Sequence, residues 1–314
     1  MQDDNARKIT YGAMMTALSA IILAVSFYVP LLGGITMFFI PLPIILYRLR
    51  YDRTASILVV AISIILSLFI GGGIALIPLA LVFGLLGLVI GDTIRLGKSK
   101  LYTFMASGLT LLTLTIIMYV GAVLFFKINI IEEIMKTIPE ARQEIISFLT
   151  KNGELPVNFN EQLDASILFY EAAIPSLYII GVFSLAFIYV SLNLIVVKRL
   201  GHNVQSFPPF RDMKLPMITV WYYLLVLLSG FLFNMEHGTT INLIYTNASL
   251  LLQFLFFLQG ISLILYLMNK MKLPKWALFF PIIFALLLSP ITIILGVLDA
   301  GMGVRRWIGK DKSK

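Results

Sequence analysis

The sequence predicts an all-α polytopic membrane protein, a transmembrane bundle of eight or nine helices. Three observations carry this. Of 314 residues, 59% are hydrophobic and 13% charged, with mean hydropathy +0.95, whereas soluble domains carry roughly 25% charged residues. The apolar residues gather in runs long enough to cross a bilayer. The charges, 24 Lys and Arg against 16 Asp and Glu, fall between the runs, where they set topology rather than a nucleic-acid surface.

The first run, Ile9 to Val29, carries no charge. It follows Arg7 and Lys8 as a signal peptide would. It exceeds an ordinary signal core, however, and Val25 to Pro30 holds no small-x-small cleavage pattern, so it reads as a retained helix. Ala13, Ala17, Ala20 and Ala24 share one stripe of that helix. Small side chains permit close approach inside lipid, where no hydrophobic force draws helices together. The stripe is therefore a docking face, for another helix of the chain or for a separate subunit.

Eight further apolar runs follow: Leu31–Tyr47, Thr54–Ile70, Ile74–Ile90, Leu101–Phe126, Ile174–Val197, Met217–Asn234, Tyr245–Met268 and Trp276–Leu298. Pro41 and Pro43 bend the first of these. Gly71, Gly72 and Gly73 join the next two as a hairpin. Gly84, Gly87 and Gly91 share a face and predict close helix packing within the chain. Alternating crossings place Arg7/Lys8, Arg48/Arg50/Arg53, Arg95/Lys98/Lys100, Lys198/Arg199/Arg211/Lys214 and Lys270/Lys272/Lys275 in the cytoplasm, with the N-terminus. The last run resists this scheme. Either Arg305, Arg306 and the lysines after them lie outside, or Pro290 marks a break and the segment returns.

The loop of residues 127–172 is long and holds half of all acidic residues, which places it outside. Ile131, Ile134, Ile138, Ile145 and Leu149 predict an amphipathic helix interrupted near Pro139, and Asn160-Glu161 predicts the start of a second. These helices lie on the outer membrane surface, cap a cavity, or form a solvated loop. The chain divides into a six-segment membrane module, residues 1–200, and a basic cytoplasmic segment with further membrane helices, residues 201–314.

No cysteine is present, which excludes disulfides, thiolate metal sites and a cysteine nucleophile. His202 and His237, the only histidines, stand far apart, so no metal and no cofactor is expected. Gly91 to Ser99, GDTIRLGKS, has five residues between its glycines where a phosphate-binding loop has four, and it follows a membrane helix rather than a strand. No GxSxG or HExxH is present, and no catalytic set is visible. Asp92 and Asp299 stand near basic residues, which suggests structural pairing. Polar side chains within lipid carry more information, because burying them unpaired is costly. Glu236, Asn247 and Gln253 gather near the outer ends of the later helices and are the candidate solute contacts. Gln259 lies deeper and about 120° around the helix from Gln253, so it packs against a neighbouring helix.

Lys198-Arg-Leu-Gly201 followed by Phe207-Pro-Pro-Phe-Arg-Asp-Met-Lys-Leu-Pro216 resembles the cytoplasmic stretch of the YybS family of uncharacterised multi-pass membrane proteins. Gln259-Gly-Ile-Ser262, Gly296-Val-Leu-Asp299 with Arg305-Arg306, and Pro41-Leu-Pro43 with Arg48 resemble further motifs of that family. The run Ala300–Val304 is small and apolar where the resemblance implies acidic and aromatic residues. The first six segments are also similar to the substrate-binding S components of energy-coupling-factor (ECF) vitamin transporters. That resemblance implies solute binding, with the alanine stripe docked on a transmembrane coupling subunit served by ATPases, in a bacterial inner cell membrane. The alternative is a scaffold or regulator whose patch Phe207, Phe210, Arg211, Met213 and Lys214 binds a protein partner. A lipid-modifying enzyme is disfavoured, since nothing catalytic is visible. Membrane lipid is a partner in every case.

Overall fold

The computed structural model describes residues 2–153, 157–205, 208–233, 236, 238–274 and 279–310. Among them there are helices and no strand. Seven helices are long and apolar enough to cross a membrane, and a bent pair makes up to eight. The chain forms two compact units, one of residues 1–155 and 181–206, the other of residues 156–180 and 207–314.

The first unit begins with α1 (Gln2–Tyr28), α2 (Pro30–Thr36), a 3₁₀ turn and α3 (Leu42–Arg50). It continues with α4 (Arg53–Ile70), α5 (Ile77–Arg95), α6 (Lys100–Phe126) and α7 (Ile130–Asn152). Side-chain oxygens of Asp52, Ser99 and Asn129 accept from the first-turn amides of α4, α6 and α7, satisfying donors that no helix can satisfy internally. The glycine turn after α4 forms as expected, with Gly72 at φ 62° and Gly73 at φ 149°, conformations that cost glycine least.

Close packing follows the small residues, as expected for α5. A Cβ on Gly87 would meet the Pro41 carbonyl oxygen at 2.6 Å, one on Gly91 the Arg48 side chain at 2.7 Å, and one on Gly84 the Val60 side chain at 2.8 Å. Beside this seam Asp92 pairs with Arg48 and, at 3.1 Å, with Arg53. Lys8 pairs with Asp52, and its hydrogen bond, followed by the Ala55 amide, holds that carboxyl below the usual range.

The alanine stripe behaves differently from its within-chain expectation. The packed face of α1 is Gly12, Met15, Thr16, Ser19 and Leu23, whereas Ala13 and Ala17 are exposed and Ala20 and Ala24 half-buried. The stripe lies one step around the helix from the seam that α1 makes with α3 and α4.

Two further expectations are corrected. Helix α7 continues through Pro139. A proline costs one internal hydrogen bond, and on a helix so exposed the freed carbonyl is left open to solvent rather than buried unpaired. The second loop helix and the sixth apolar run are one helix, α8 (Phe159–Arg199) of 41 residues with Pro175 inside it. Its part up to Ile180 belongs to the second unit and the rest to the first.

The second unit adds a 3₁₀ turn at Phe210–Asp212, α9 (Ile218–Leu232), α10 (Thr240–Lys270), α11 (Phe279–Leu287), α12 (Ser289–Met302) and α13 (Val304–Lys310). Helix α9 has 15 residues, short of the roughly 20 that a perpendicular crossing needs. Among the described residues the nine runs therefore yield fewer full-length spans than nine. Helices α11 and α12 bend by 103° at their junction, with Pro290 in the first turn of α12. Thr292 Oγ1 bridges the break by donating to the carbonyls of Ala285 (3.0 Å) and Leu288 (3.2 Å). The break at Pro290 is thus real, and the pair forms a re-entrant or broken span.

Candidate functional site

Helices α10 and α12 meet at two glycines. A Cβ on Gly296 would overlap the Phe256 carbonyl oxygen, and one on Gly260 the Thr292 carbonyl oxygen. Backbone therefore lies against backbone, as in small-residue contacts of membrane helices. Gly296→Ala should force the two helices apart and cost about 2 kcal/mol, in the range of overpacked cores. Thermal unfolding of the purified protein measures it.

This contact holds a buried charged network. Asp299 and Arg305 have side chains 2% and 4% exposed, with Arg305 Nε donating to Asp299 Oδ2 at 2.8 Å. Gln259 Nε2 donates to the same oxygen at 2.6 Å, and Gln259 Oε1 accepts from the Leu215 amide at 3.0 Å. Arg305 Nη1 donates to the Arg211 carbonyl at 2.6 Å and Nη2 to Ser262 Oγ at 3.0 Å. Ser262 Oγ donates to the carbonyls of Phe210 (2.7 Å) and Met213 (3.1 Å). Arg211 Nη1 donates to Asn269 Oδ1 at 2.8 Å. The Arg305 guanidinium lies 5.3 Å from the Tyr266 ring centre, within range of a cation–π contact.

Two consequences follow. The stretch from Phe210 to Leu215 is clamped by its backbone along α10. Arg305, after α12, touches the Arg211 carbonyl before α9, so the chain segments that bracket α9 to α12 meet at this point.

The network floors a cavity of about 240 Å³, lined among others by Lys214, Leu215, Gln259, Asp299, Arg305 and Arg306. Ala300 and Gly303 also line it. The Ala300 methyl and the bare Gly303 backbone, from the run that departs from the family resemblance, leave this space open.

The candidate solute contacts named from sequence do not assemble. Asn247 is engaged with α8: its Oδ1 accepts from the Ser176 amide and its Nδ2 donates to the Ala172 carbonyl, both at 2.8 Å. A third bond runs from Nδ2 to the Leu243 carbonyl at 2.8 Å. Gln253 is half-buried on α10, and Glu236 is exposed in the loop before α10. Asn234 and His237, grouped with them from sequence, lie outside the described residues, as does Phe207 of the partner patch. Of that patch Phe210 and Lys214 are exposed, and Arg211 and Met213 half-buried. Gln259 packs between helices as expected. Sequence reasoning missed Arg305, which reads as a topology charge, although the stretches that carried the family resemblance are those that meet here.

Apolar spans, N-capped helices and a charged site buried between helices define an all-α polytopic membrane protein. A family profile described as predicted membrane protein (DUF2232) matches residues 17–300, and the chain belongs to that family. It is 28% identical over 307 residues to the uncharacterized protein YybS of Bacillus subtilis (strain 168), covering 95% of this chain and 97% of that protein. No solved structure matches it.

Proposed function

We propose that this protein is a solute-binding component of a membrane transport system and that its solute site is the cavity above the Asp299–Arg305 pair. The observation that carries the reading is that ion pair, almost wholly buried among apolar helices beside an open space. Ionisable groups inside membrane segments are costly and mark solute or ion paths. The volume suits a small polar solute rather than a drug-sized one. By the excess of basic residues around it the cavity faces the cytoplasm of a bacterial inner membrane. The exposed Ala13 and Ala17 leave α1 a face for a coupling subunit with ATPases, as S components of ECF transporters have. The site performs no chemistry on this reading.

The test is thermal unfolding of purified full-length protein against a panel of neutral, cationic and anionic small solutes. Ala300→Leu fills the cavity from its lining. At least one solute should stabilise the wild type, and Ala300→Leu should abolish that shift while keeping the fold. A panel without effect, or a shift that survives Ala300→Leu, sinks the reading.

One observation favours a second reading, a scaffold. The stretch from Phe210 to Leu215 is held by its backbone, which leaves Phe210 and Lys214 exposed on a fixed chain. A soluble protein that co-purifies with the wild type and is lost on Phe210→Ala would support it.

A further inference from the structure

We propose that the cavity of the second unit binds a phosphoryl group, carried either by a free phosphate or by an anionic phospholipid headgroup. This rests on reading the cavity as a solute site and adds the ligand class. The argument begins with charge. Three cationic side chains, Lys214, Arg305 and Arg306, line the cavity with one carboxylate, Asp299. Asp299 is consumed by Arg305. Lys214 and Arg306 are exposed and make no ion pair among the described residues. Two uncompensated positive charges therefore flank a polar cavity, enough to offset the roughly −1.5 charge of a free phosphate at neutral pH or the single charge of a phosphodiester headgroup.

The donors match as well. Arginine has five N–H groups, and Arg305 spends three of them on Asp299, Arg211 and Ser262. Two N–H groups remain without a protein acceptor among the described residues, in a guanidinium that cannot turn away without breaking its other bonds. An arginine with unspent N–H groups and a lysine ammonium on one cavity lining are suited to a phosphoryl group. Gly303 completes the geometry. It sits at φ 64°, and a Cβ there would meet Arg306 Nε at 2.7 Å. The glycine thus lets the Arg306 side chain fold across the chain at the cavity mouth.

Full-length protein in an uncharged detergent is unfolded thermally at constant ionic strength, with inorganic phosphate titrated against chloride. A second arm adds phosphatidylglycerol or phosphatidylcholine to the micelles. Phosphate, phosphatidylglycerol or both should raise the unfolding temperature. The double variant Lys214→Gln with Arg306→Gln should raise the half-saturating concentration at least about tenfold, as for loss of charge-assisted bonds. Stabilisation by inorganic phosphate alone assigns a free phosphate, and stabilisation by phosphatidylglycerol alone assigns a headgroup. A phosphate or phosphatidylglycerol shift unchanged in the double variant overturns the proposal. If only neutral or cationic solutes stabilise, and Ala300→Leu removes their effect, the cavity reading stands and the phosphoryl assignment fails. If nothing stabilises the wild type, both fail.

Discussion

Asp299→Ala should destabilise the second unit by about 3–5 kcal/mol, the usual cost of leaving one member of a buried ion pair without the other. Three losses combine. Arg305, 4% exposed, keeps its charge with no carboxylate beside it. Gln259 loses the acceptor of its amide N–H. The Arg305 clamp on the Arg211 carbonyl loosens, because Asp299 fixes the guanidinium that makes it. The cause can be separated from simple loss of packing. Replacing Arg305 by Met in the same chain removes the stranded charge and should recover much of the stability, since apolar replacements of whole buried pairs are often neutral. Thermal unfolding of the wild type, Asp299→Ala and the double variant decides it. A double variant as unstable as the single one would mean that the stranded charge is not what costs.

Much of this fold is legible in the sequence because lipid makes the rules strict. Apolar length alone locates α1, α4, α5, α6 and α10, since a crossing chain must satisfy its backbone within a helix. Gly84, Gly87 and Gly91 reveal their packing because small-residue spacing has few other uses in a membrane helix. Pro290 shows as a possible break because proline cannot continue the hydrogen-bond ladder. How far the chain bends there is a tertiary matter, fixed where Thr292 joins the carbonyls of Ala285 and Leu288 across the break.

The site was less legible, and the reasons are specific. Depth along a helix grouped Glu236, Asn247 and Gln253, but a polar side chain in lipid bonds to the nearest unsatisfied group rather than to others at its level. Arg305 carries the same letter as the topology-setting arginines, and only the fold of α12 carries it into the interior. The length of α8 was hidden because the amphipathic loop helix and the apolar run Ile174–Val197 differ in character, and Pro175 at their join is accommodated by Asn247, distant in sequence.

That accommodation makes the other large effect calculable. Proline at position 175 has no amide hydrogen, and its ring disturbs the turn before it. At this turn Asn247 inserts its amide between the Ser176 N–H and the Ala172 carbonyl, each at 2.8 Å. Ser176 and Ala172 are both buried, so water cannot take over. Asn247→Leu suits lipid by size and hydropathy but strands a donor and an acceptor. At 1–3 kcal/mol for each buried group left unpaired, the expected cost is about 3 kcal/mol. Pro175→Ala should reverse the dependence: with an ordinary residue there, the Ser176 amide can return to the Ala172 carbonyl and α8 closes its own ladder. In the Pro175→Ala background, Asn247→Leu should then cost under about 1 kcal/mol, the level of an ordinary interhelical polar contact in a membrane. The four proteins of this cycle, unfolded thermally under one detergent condition, give the coupling directly. Equal costs of Asn247→Leu in the two backgrounds would show that Asn247 serves some purpose other than the repair of the proline break.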